Sequence, residues 1–358
     1  MKIRLIGQRN QTGIGTHYAN FADAVLATEW GNCVEELDHT DREGLVAGYE
    51  RSEPDDINIV FVCMPLQRAY RGTTIQWVVF ESTRMFPTIL DTLLDAHQIW
   101  VPSAWGRDVL IQHGLDPARC WVVHEGVDPQ RYTTIATHES DTLNYLFNGK
   151  CEIRKSIVET VQAWQQEFGN DPGVKLILKT GHYTDQEYQA RKLQELTNWV
   201  NGSTNIEIIW GEIPDADLTA LYQQSDIFVL PSKAEGWGLP LIEAAAQGMP
   251  IISTIYSGHA EFLQPIESSV VSVEYDMCPI QCPEIQFFYP MPDNNWGEWA
   301  QPRMDSIRRA LRHARENYTQ LKLTAMSNSK IISRDFSWTA SADRALALLQ
   351  AQGLLVKK

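Results

Sequence analysis

The sequence predicts an α/β protein made of two doubly wound parallel-sheet domains that face each other across a cleft. A length of 358 residues is too great for one ordinary core and suits two domains of typical size. Short β-rich apolar runs alternate with longer stretches of helical spacing, the signature of sheets built from βαβ units. That rhythm occurs twice, on either side of the polar stretch TTIATHESDT (133–142), although no sequence repeat accompanies it. The expected partition is 1–138, then 139–337, then a terminal helix (338–358) that packs back on the first domain.

In the first half the expected strands are IRLIG (3–7), INIVFVC (57–63), IQWVVFE (75–81), QIWVPS (98–103) and CWVVHEG (120–126). Residues 14–29 and 84–96 have helical spacing, and Ser103 reads as the N-cap of a further helix through Ile111. In the second half the strands are expected at 144–149, 174–181, 205–211, 226–232, 250–255 and 270–275. Helices fill 156–168, 185–200, 215–224 and 239–247. MCPIQCPEIQFFYPM (277–291) reads as an ordered irregular excursion, because so apolar a segment would not stay exposed. Helical patterning resumes at Met304.

Composition narrows the function. The net charge is −15, and both halves are acidic: residues 1–138 carry 11 Lys and Arg against 18 Asp and Glu, the remainder 19 against 27. Neither half attracts nucleic acid or an anionic membrane by its overall charge, so a glycan, small molecule or protein is the expected kind of partner. No apolar run approaches the roughly 18 residues a membrane-spanning helix needs. MKIRLIGQRNQ lacks the apolar core of a signal peptide, and a cytoplasmic location is expected. The six cysteines are spread through the chain without disulfide or zinc-site spacing and are expected to be free thiols.

Chemistry concentrates in SDIFVLPSKAEGWGLPLIEAAAQGMPIIST (225–254). A buried strand ends at Pro231, and Gly236-Trp237-Gly238 opens a helix near Leu239. The free amides and dipole of a helix N-terminus suit an anion, and glycines let a diphosphate approach the backbone. Glu235 and Glu243, with seven residues between them, bracket the turn: one faces a cleft from the loop, the other lies a turn into the helix, placed for a vicinal diol. Either acid alone reads as a cap or a surface glutamate; the combination points to a site. A second cluster, Lys150, Arg154 and Lys155, follows the strand that ends at Gly149 and offers cations to a diphosphate. Its bland alternative is a solvated charge cluster at a helix start.

The stretch 235–250 resembles the E-x7-E donor motif of retaining glycosyltransferases of the GT-B fold, family 4 (group 1) in particular, which writes it E-G-F-G-L-P-x-x-E-A-x-x-x-G-x-P. Here Trp237 stands for the usual Phe. The resemblance implies two Rossmann-like domains, with Glu235 on the donor sugar's hydroxyls and Glu243 on the nucleotide's ribose. The amides around Gly238 and Leu239 would meet the diphosphate. The family's G-R-x-x-x-x-K-G has Lys150 at its Arg position and Lys155 at its Lys position; lysine lacks bidentate geometry, so Arg154 is expected to share the task. By the same resemblance Gly211 to Ile213 flank the base, and Gly15 in the first loop reaches the donor; His17 is a weaker candidate. SGHAEFL (257–263), NWGEWAQP (295–302) and RDFSW (334–338) fit the family too.

Where many members place a histidine near the reacting sugar, this chain has Glu81. It either contacts an acceptor or sugar hydroxyl in the histidine's stead, or is a strand-end acid paired with Arg84. Asp215-Ala-Asp217 spells the metal motif of another transferase fold, yet Asp215 reads better as a helix cap. No obligatory metal or cofactor is expected, only a nucleoside diphosphate sugar as co-substrate. The resemblance implies transfer of a sugar with retention to an unidentified acceptor, with cleft closure around the substrates. A nucleotide-sugar epimerase of the same fold, or a sugar-nucleotide or glycan binding protein without turnover, are the alternatives. Base, sugar, acceptor and oligomeric state stay open.

Overall fold

The first unit's sheet is written in its apolar runs. Strands β1 (Ile3–Gly7), β2 (Val34–Asp38), β3 (Ile57–Val60), β4 (Thr73–Trp77), β5 (Gln98–Val101) and β6 (Cys120–Val122) pair in parallel in the order β2-β1-β3-β4-β5-β6. These coordinates are a computed structural model that describes residues 1–61, 70–135, 141–182, 185–282 and 291–356. Cys63 and part of the strand expected at 57–63 lie outside the described residues, as do parts of 133–142 and 277–291. Helices α1 (Gly13–Leu26), α2 (Arg42–Glu50), α3 (Pro87–Leu94) and α4 (Ala104–Gln112) lie between the strands, and Ser103 caps α4 by accepting from the Gly106 amide at 3.1 Å.

Strand β2 and helix α2 were not among the expected elements. Val-Glu-Glu-Leu-Asp lacks an apolar run because it is an edge strand, whose charges find partners of their own. Glu35 accepts from Arg4 Nε at 2.9 Å and from Arg51 at 2.7 Å, and the fully buried Arg4 also reaches Asp56 at 2.6 Å. The expected strands at 75–81, 98–103 and 120–126 end sooner, which leaves Glu81 and Glu125 in loops at carboxyl ends of strands.

In the second unit, β7 (Leu143–Asn148), β8 (Val174–Thr180), β9 (Ile206–Trp210), β10 (Ile227–Val229), β11 (Ile251–Ser253) and β12 (Val270–Ser272) pair in parallel in the order β12-β11-β10-β7-β8-β9. Helices α5 (Ile157–Phe168), α6 (Gln186–Val200), α7 (Asp215–Gln223), α8 (Leu239–Ala246) and α9 (Ala260–Leu263) fill the connections. That order reverses direction between β7 and β10, and in open α/β sheets ligands bind at the strands' carboxyl ends where the order reverses. The loops that follow β7 and β10 are the two stretches singled out above. Strand β13 (Tyr275–Pro279) pairs antiparallel with β14 (Glu298–Pro302), so residues 277–279 are regular where the sequence suggested irregular chain. Helices α10 (Met304–Glu316), α11 (Tyr318–Asp335) and α12 (Trp338–Ala351) complete the chain.

The chain divides into one unit of Met1–Gly126, Arg334–Lys358 and the described residues of 283–297, and a second of Val127–Cys282 and Glu298–Ser333. Helix α12 packs against α1 in the first unit. The polar stretch 133–142 falls inside the second. Cys33, Cys120, Cys151, Cys278 and Cys282 are free, and among the described residues no helix is long and apolar enough to cross a membrane.

Candidate donor site in the second unit

The loop after β7 turns through a 3-10 segment, Ile153–Lys155, that ends at Ser156 with φ 56°. This left-handed residue reverses the chain into α5, and both preceding cations face the loop after β10. Lys155 Nζ lies 2.7 Å from each carboxylate oxygen of Glu235. Arg154 Nη1 donates to Glu235 Oε2 at 3.0 Å and to the Ala234 carbonyl at 2.7 Å. Lys155 and Glu235 are only 6% and 3% exposed, so the cluster is nearly dry. Burial alone would raise the Glu235 carboxyl, but the charges of Lys155 and Arg154 overcome it and hold Glu235 well below the usual carboxylate range. Burial pushes the Lys155 ammonium down, and Glu235 pulls it partly back.

Three of the roughly four acceptor positions on a carboxylate are therefore filled in Glu235, leaving about one for a hydroxyl. Lys150 is 40% exposed and pairs with Glu152 Oε1 at 3.7 Å, while Glu152 accepts from Arg154 Nη2 at 3.4 Å.

The loop that carries Glu235 is fixed from below. The Glu235 amide donates to Ser257 Oγ at 2.8 Å, and the Gly258 amide donates to the Glu235 carbonyl at 2.9 Å. A Cβ on Gly258 would sit 1.9 Å from the Gly236 carbonyl oxygen, so only glycine fits there. His259, fully buried, lies against Gly238 and shares a 2.8 Å hydrogen bond between Nε2 and the Thr254 carbonyl; burial lowers its pKa to about 4 and keeps it neutral. Gly238 takes φ 100° as the N-cap of α8, a conformation that favours glycine. The amides of Gly238 and Leu239 thus stand at a helix N-terminus beside Lys155 and Arg154. Trp237 turns into the core and packs on Phe262 at 5.0 Å.

Glu243 projects from the middle of α8 and is half-buried. Tyr222 Oη donates to its Oε2 at 2.8 Å, and the Tyr132 side chain lies beside the same carboxyl. Burial raises Glu243, the two hydroxyls pull it partly back, and it settles at about 7. Gly211 follows β9 with φ 87°, its amide donating to the Thr180 carbonyl at 2.9 Å, and Ile213 lies two residues on, half-buried. Asp215 is the first helical residue after the cap Pro214 and pairs with Arg131 at 2.9 Å, which corrects its reading as a cap. Among the described residues no group of three His, Cys, Asp or Glu side chains is arranged to hold a metal ion.

In the first unit the expected residues take different parts. The Gly15 amide donates to the capping Thr12 hydroxyl at 3.1 Å in the first turn of α1. His17 is packed among Trp77, Phe61 and Trp338, with ring centroids 4.4, 5.1 and 5.8 Å away, and burial lowers its pKa to about 3. Its Nδ1 is 3.8 Å from Glu125 Oε1. Burial, assisted by the charge of Glu81, raises Glu125 to about 8, so at neutral pH two uncharged groups meet there. Arg84 pairs with Asp293 at 2.7 Å, and Glu81 is half-buried nearby in sequence.

Sequence reasoning missed Tyr132, Tyr222, Ser257 and the role of His259. Tyr222 lies within the helix that precedes β10, and only the parallel topology brings its hydroxyl to Glu243.

Residues 135–277 match the family described as Glycosyl transferases group 1. The mannosylfructose-phosphate synthase of Agrobacterium fabrum is 26% identical over 187 residues, covering 46% of this chain and 41% of that protein. A GDP-mannose:cellobiosyl-diphosphopolyprenol alpha-mannosyltransferase of Xanthomonas oryzae is 32% identical over 144 residues, covering 39% and 36%. The matched region is less than half the length of each of these relatives. Among solved structures, HepE of Anabaena in complex with UDP superposes with a TM-score of 0.67 at 15% identity, covering 98% of this chain and 100% of that one. Sucrose-phosphate synthase from Thermosynechococcus elongatus gives 0.72 at 16%, covering 99% of both. At these identities the likeness is one of fold. The chain has the two-sheet GT-B fold, and the part of it that matches the glycosyl transferases group 1 is residues 135–277.

Proposed function

We propose that this chain is a retaining glycosyltransferase that moves a sugar from a nucleoside diphosphate sugar to an acceptor hydroxyl, using its own cations and no obligatory divalent ion. The observation that carries the reading is the junction of β7 and β10. There Lys155 and Arg154 converge on Glu235 beside the N-terminus of α8, with Glu243 about a turn further along that helix. Such a junction suits a diphosphate flanked by a sugar on one side and a nucleoside on the other.

In this reading Lys155, Arg154 and the amides of Gly238 and Leu239 stabilise the leaving diphosphate, with Lys150 at the solvent edge. Glu235, kept ionised by its cations, accepts a donor-sugar hydroxyl on its remaining acceptor position and offsets positive charge at the reacting carbon. Glu243 accepts from the ribose hydroxyls, Gly211 and Ile213 border the base, and Gly236 and Trp237 shape the turn. Catalysis then rests on positioning and electrostatic stabilisation, and removing one diphosphate contact should slow transfer on the order of 10²-fold. Gly15 is a further proposed contact to the donor, and Glu81 to an acceptor or sugar hydroxyl. Relatives that bear the names of transferases and synthases favour group transfer over epimerisation.

Thermal-shift titration with UDP, GDP and ADP, each alone and as common sugar conjugates, tests the reading. A nucleotide at about 100 times its Kd stabilises the fold by roughly 2.7 kcal/mol. That shift should vanish in Glu243→Ala. Slow hydrolysis of the bound donor should vanish in Glu235→Ala with nucleotide binding retained, and both should persist in EDTA. The absence of any shift with all three series would refute the donor site; binding without turnover would favour a sugar-nucleotide binding protein.

A further inference from the structure

Buried tyrosine hydroxyls in this chain ordinarily end on backbone carbonyls: Tyr18 on Leu5 at 3.2 Å, Tyr70 on Leu45 at 2.9 Å, Tyr145 on Leu311 at 3.1 Å. Tyr222 departs from that habit. Its ring meets that of Tyr132 edge-on at 5.8 Å, and its hydroxyl ends on the carboxyl of Glu243. Tyr222 is fully buried, and Asn148, the last residue of β7, donates its amide to the Tyr222 oxygen at 3.0 Å. With that oxygen already accepting, its single proton goes to Glu243 Oε2 at 2.8 Å in preference to the Pro240 carbonyl at 3.2 Å. A directed chain therefore runs from the end of β7, through α7, to the carboxylate on α8.

We infer that Tyr222, aimed by Asn148 and packed edge-on against Tyr132, is a positioning residue that fixes the Glu243 carboxylate to receive the vicinal diol of a nucleotide's ribose. The inference rests on the donor-site reading and adds how that site discriminates a ribose. A neutral hydroxyl orients the carboxylate without cancelling its charge, as a bound cation would, so its remaining lone pairs stay strong acceptors on the half-buried side. The ionisable neighbours that face Glu243 are Tyr222 and Asp215 from α7 and Tyr132 and Arg131 from the segment after β6. Arg131 is engaged elsewhere, with Asp215 at 2.9 Å and 5.1 Å above the Tyr132 ring. Loss of the Tyr222 hydroxyl removes a bond that favours the ionised form and raises Glu243 further.

Calorimetric titration of the full chain with UDP, GDP and ADP, and with their 2′-deoxy forms, tests this across pH 6 to 9. The wild type should prefer the ribonucleotide. Tyr222→Phe, which keeps the ring, should bind it about tenfold more weakly at pH 7, a typical loss for a hydrogen bond to a charged group. Its affinity for the deoxynucleotide should barely change, and the pH midpoint of binding should move upward. Melting of each variant without ligand shows whether it is folded. A wild-type ribo-to-deoxy ratio and pH midpoint in Tyr222→Phe, with the ratio lost in Glu243→Gln, would overturn the inference and leave the donor site standing. An unchanged ratio in Glu243→Gln, or no nucleotide bound by the wild type, would overturn both.

Discussion

Lys155→Met tests the electrostatics on which the donor site depends. The substitution keeps the length of the side chain and removes the ammonium, which lies 2.7 Å from both oxygens of a carboxylate that is only 3% exposed. Removing one partner of a buried pair strands the other charge and typically costs about 3–5 kcal/mol. Here Arg154 remains at 3.0 Å, so the cost should fall near the lower figure, about 3 kcal/mol. Glu235→Gln strands two neighbouring cations, Lys155 and Arg154, and should cost at least as much. The double variant removes the Lys155–Glu235 pair together and strands Arg154 alone, so it should fall short of the summed single losses by about 2 kcal/mol or more.

Hydrogen exchange read on peptides covering β7 and β10 follows the second unit by itself, which matters because a chain of two units need not unfold in one step. Glu235 titrates below its ordinary range in the folded chain, so its stabilisation is present above the unfolded value of about 4.3 and drains away as pH falls through the folded value. The penalty of Lys155→Met should accordingly be full at pH 7 and shrink in acid. A single variant within about 0.5 kcal/mol of wild type at pH 7, or a double whose loss equals the sum, would refute the reasoning.

Three further outcomes follow from the same geometry. Gly258→Ala places a methyl 1.9 Å from the Gly236 carbonyl and 2.8 Å from that of Glu235; the loop must shift, Tm should drop by an amount corresponding to about 1–3 kcal/mol, and nucleotide binding should weaken with it. Glu125→Gln should stabilise. The carboxyl is raised to about 8 in the folded chain, so wild-type stability falls as pH climbs from about 4.3 to about 8, and the variant's advantage in melting experiments should grow by roughly 1.4 kcal/mol per pH unit over that window. Lys150→Ala should leave Tm unchanged, since an exposed pair at 3.7 Å contributes under about 1 kcal/mol, whereas Arg154→Ala should lower both Tm and donor affinity; equal effects of the two on donor affinity would return Lys150 to the centre of the site.

Much of the donor half is legible in the sequence because its strands are continuous apolar runs buried on both faces, from Tyr145-Leu146-Phe147 to Ile227-Phe228-Val229, and because glycines mark the turn into α8. The edge strand β2 escaped because its acids are spent on Arg4 and Arg51, contacts that sequence spacing does not reveal. Which cation meets Glu235 was equally hidden. It is decided by the left-handed turn at Ser156, a residue with no special claim to that conformation, and the turn brings Arg154 to the cluster while Lys150 stays with Glu152. The pattern named the acids, but the tyrosine that holds Glu243 became visible only once β7, α7 and α8 stood side by side.

Glu125 and Glu235 are the same residue, each 3% exposed, yet they take opposite protonation states. Burial pushes both toward neutrality. Glu125 has the aromatic-packed His17 and the negative Glu81 around it and yields, while Glu235 has two cations within 3.0 Å and does not. The same comparison bears on how the second unit would meet a diphosphate. Of the two cations buried beside α8, one charge is already offset by Glu235, and the chain as a whole carries −15. Long-range attraction of an anion is therefore weak, and capture must come from short-range contacts: the amides at Gly238 and Leu239, the uncompensated part of the Lys155 and Arg154 charge, and the diol held by Glu243. A site of that kind trades fast electrostatic steering for orientation, which is what transfer of a sugar with a defined stereochemical outcome requires.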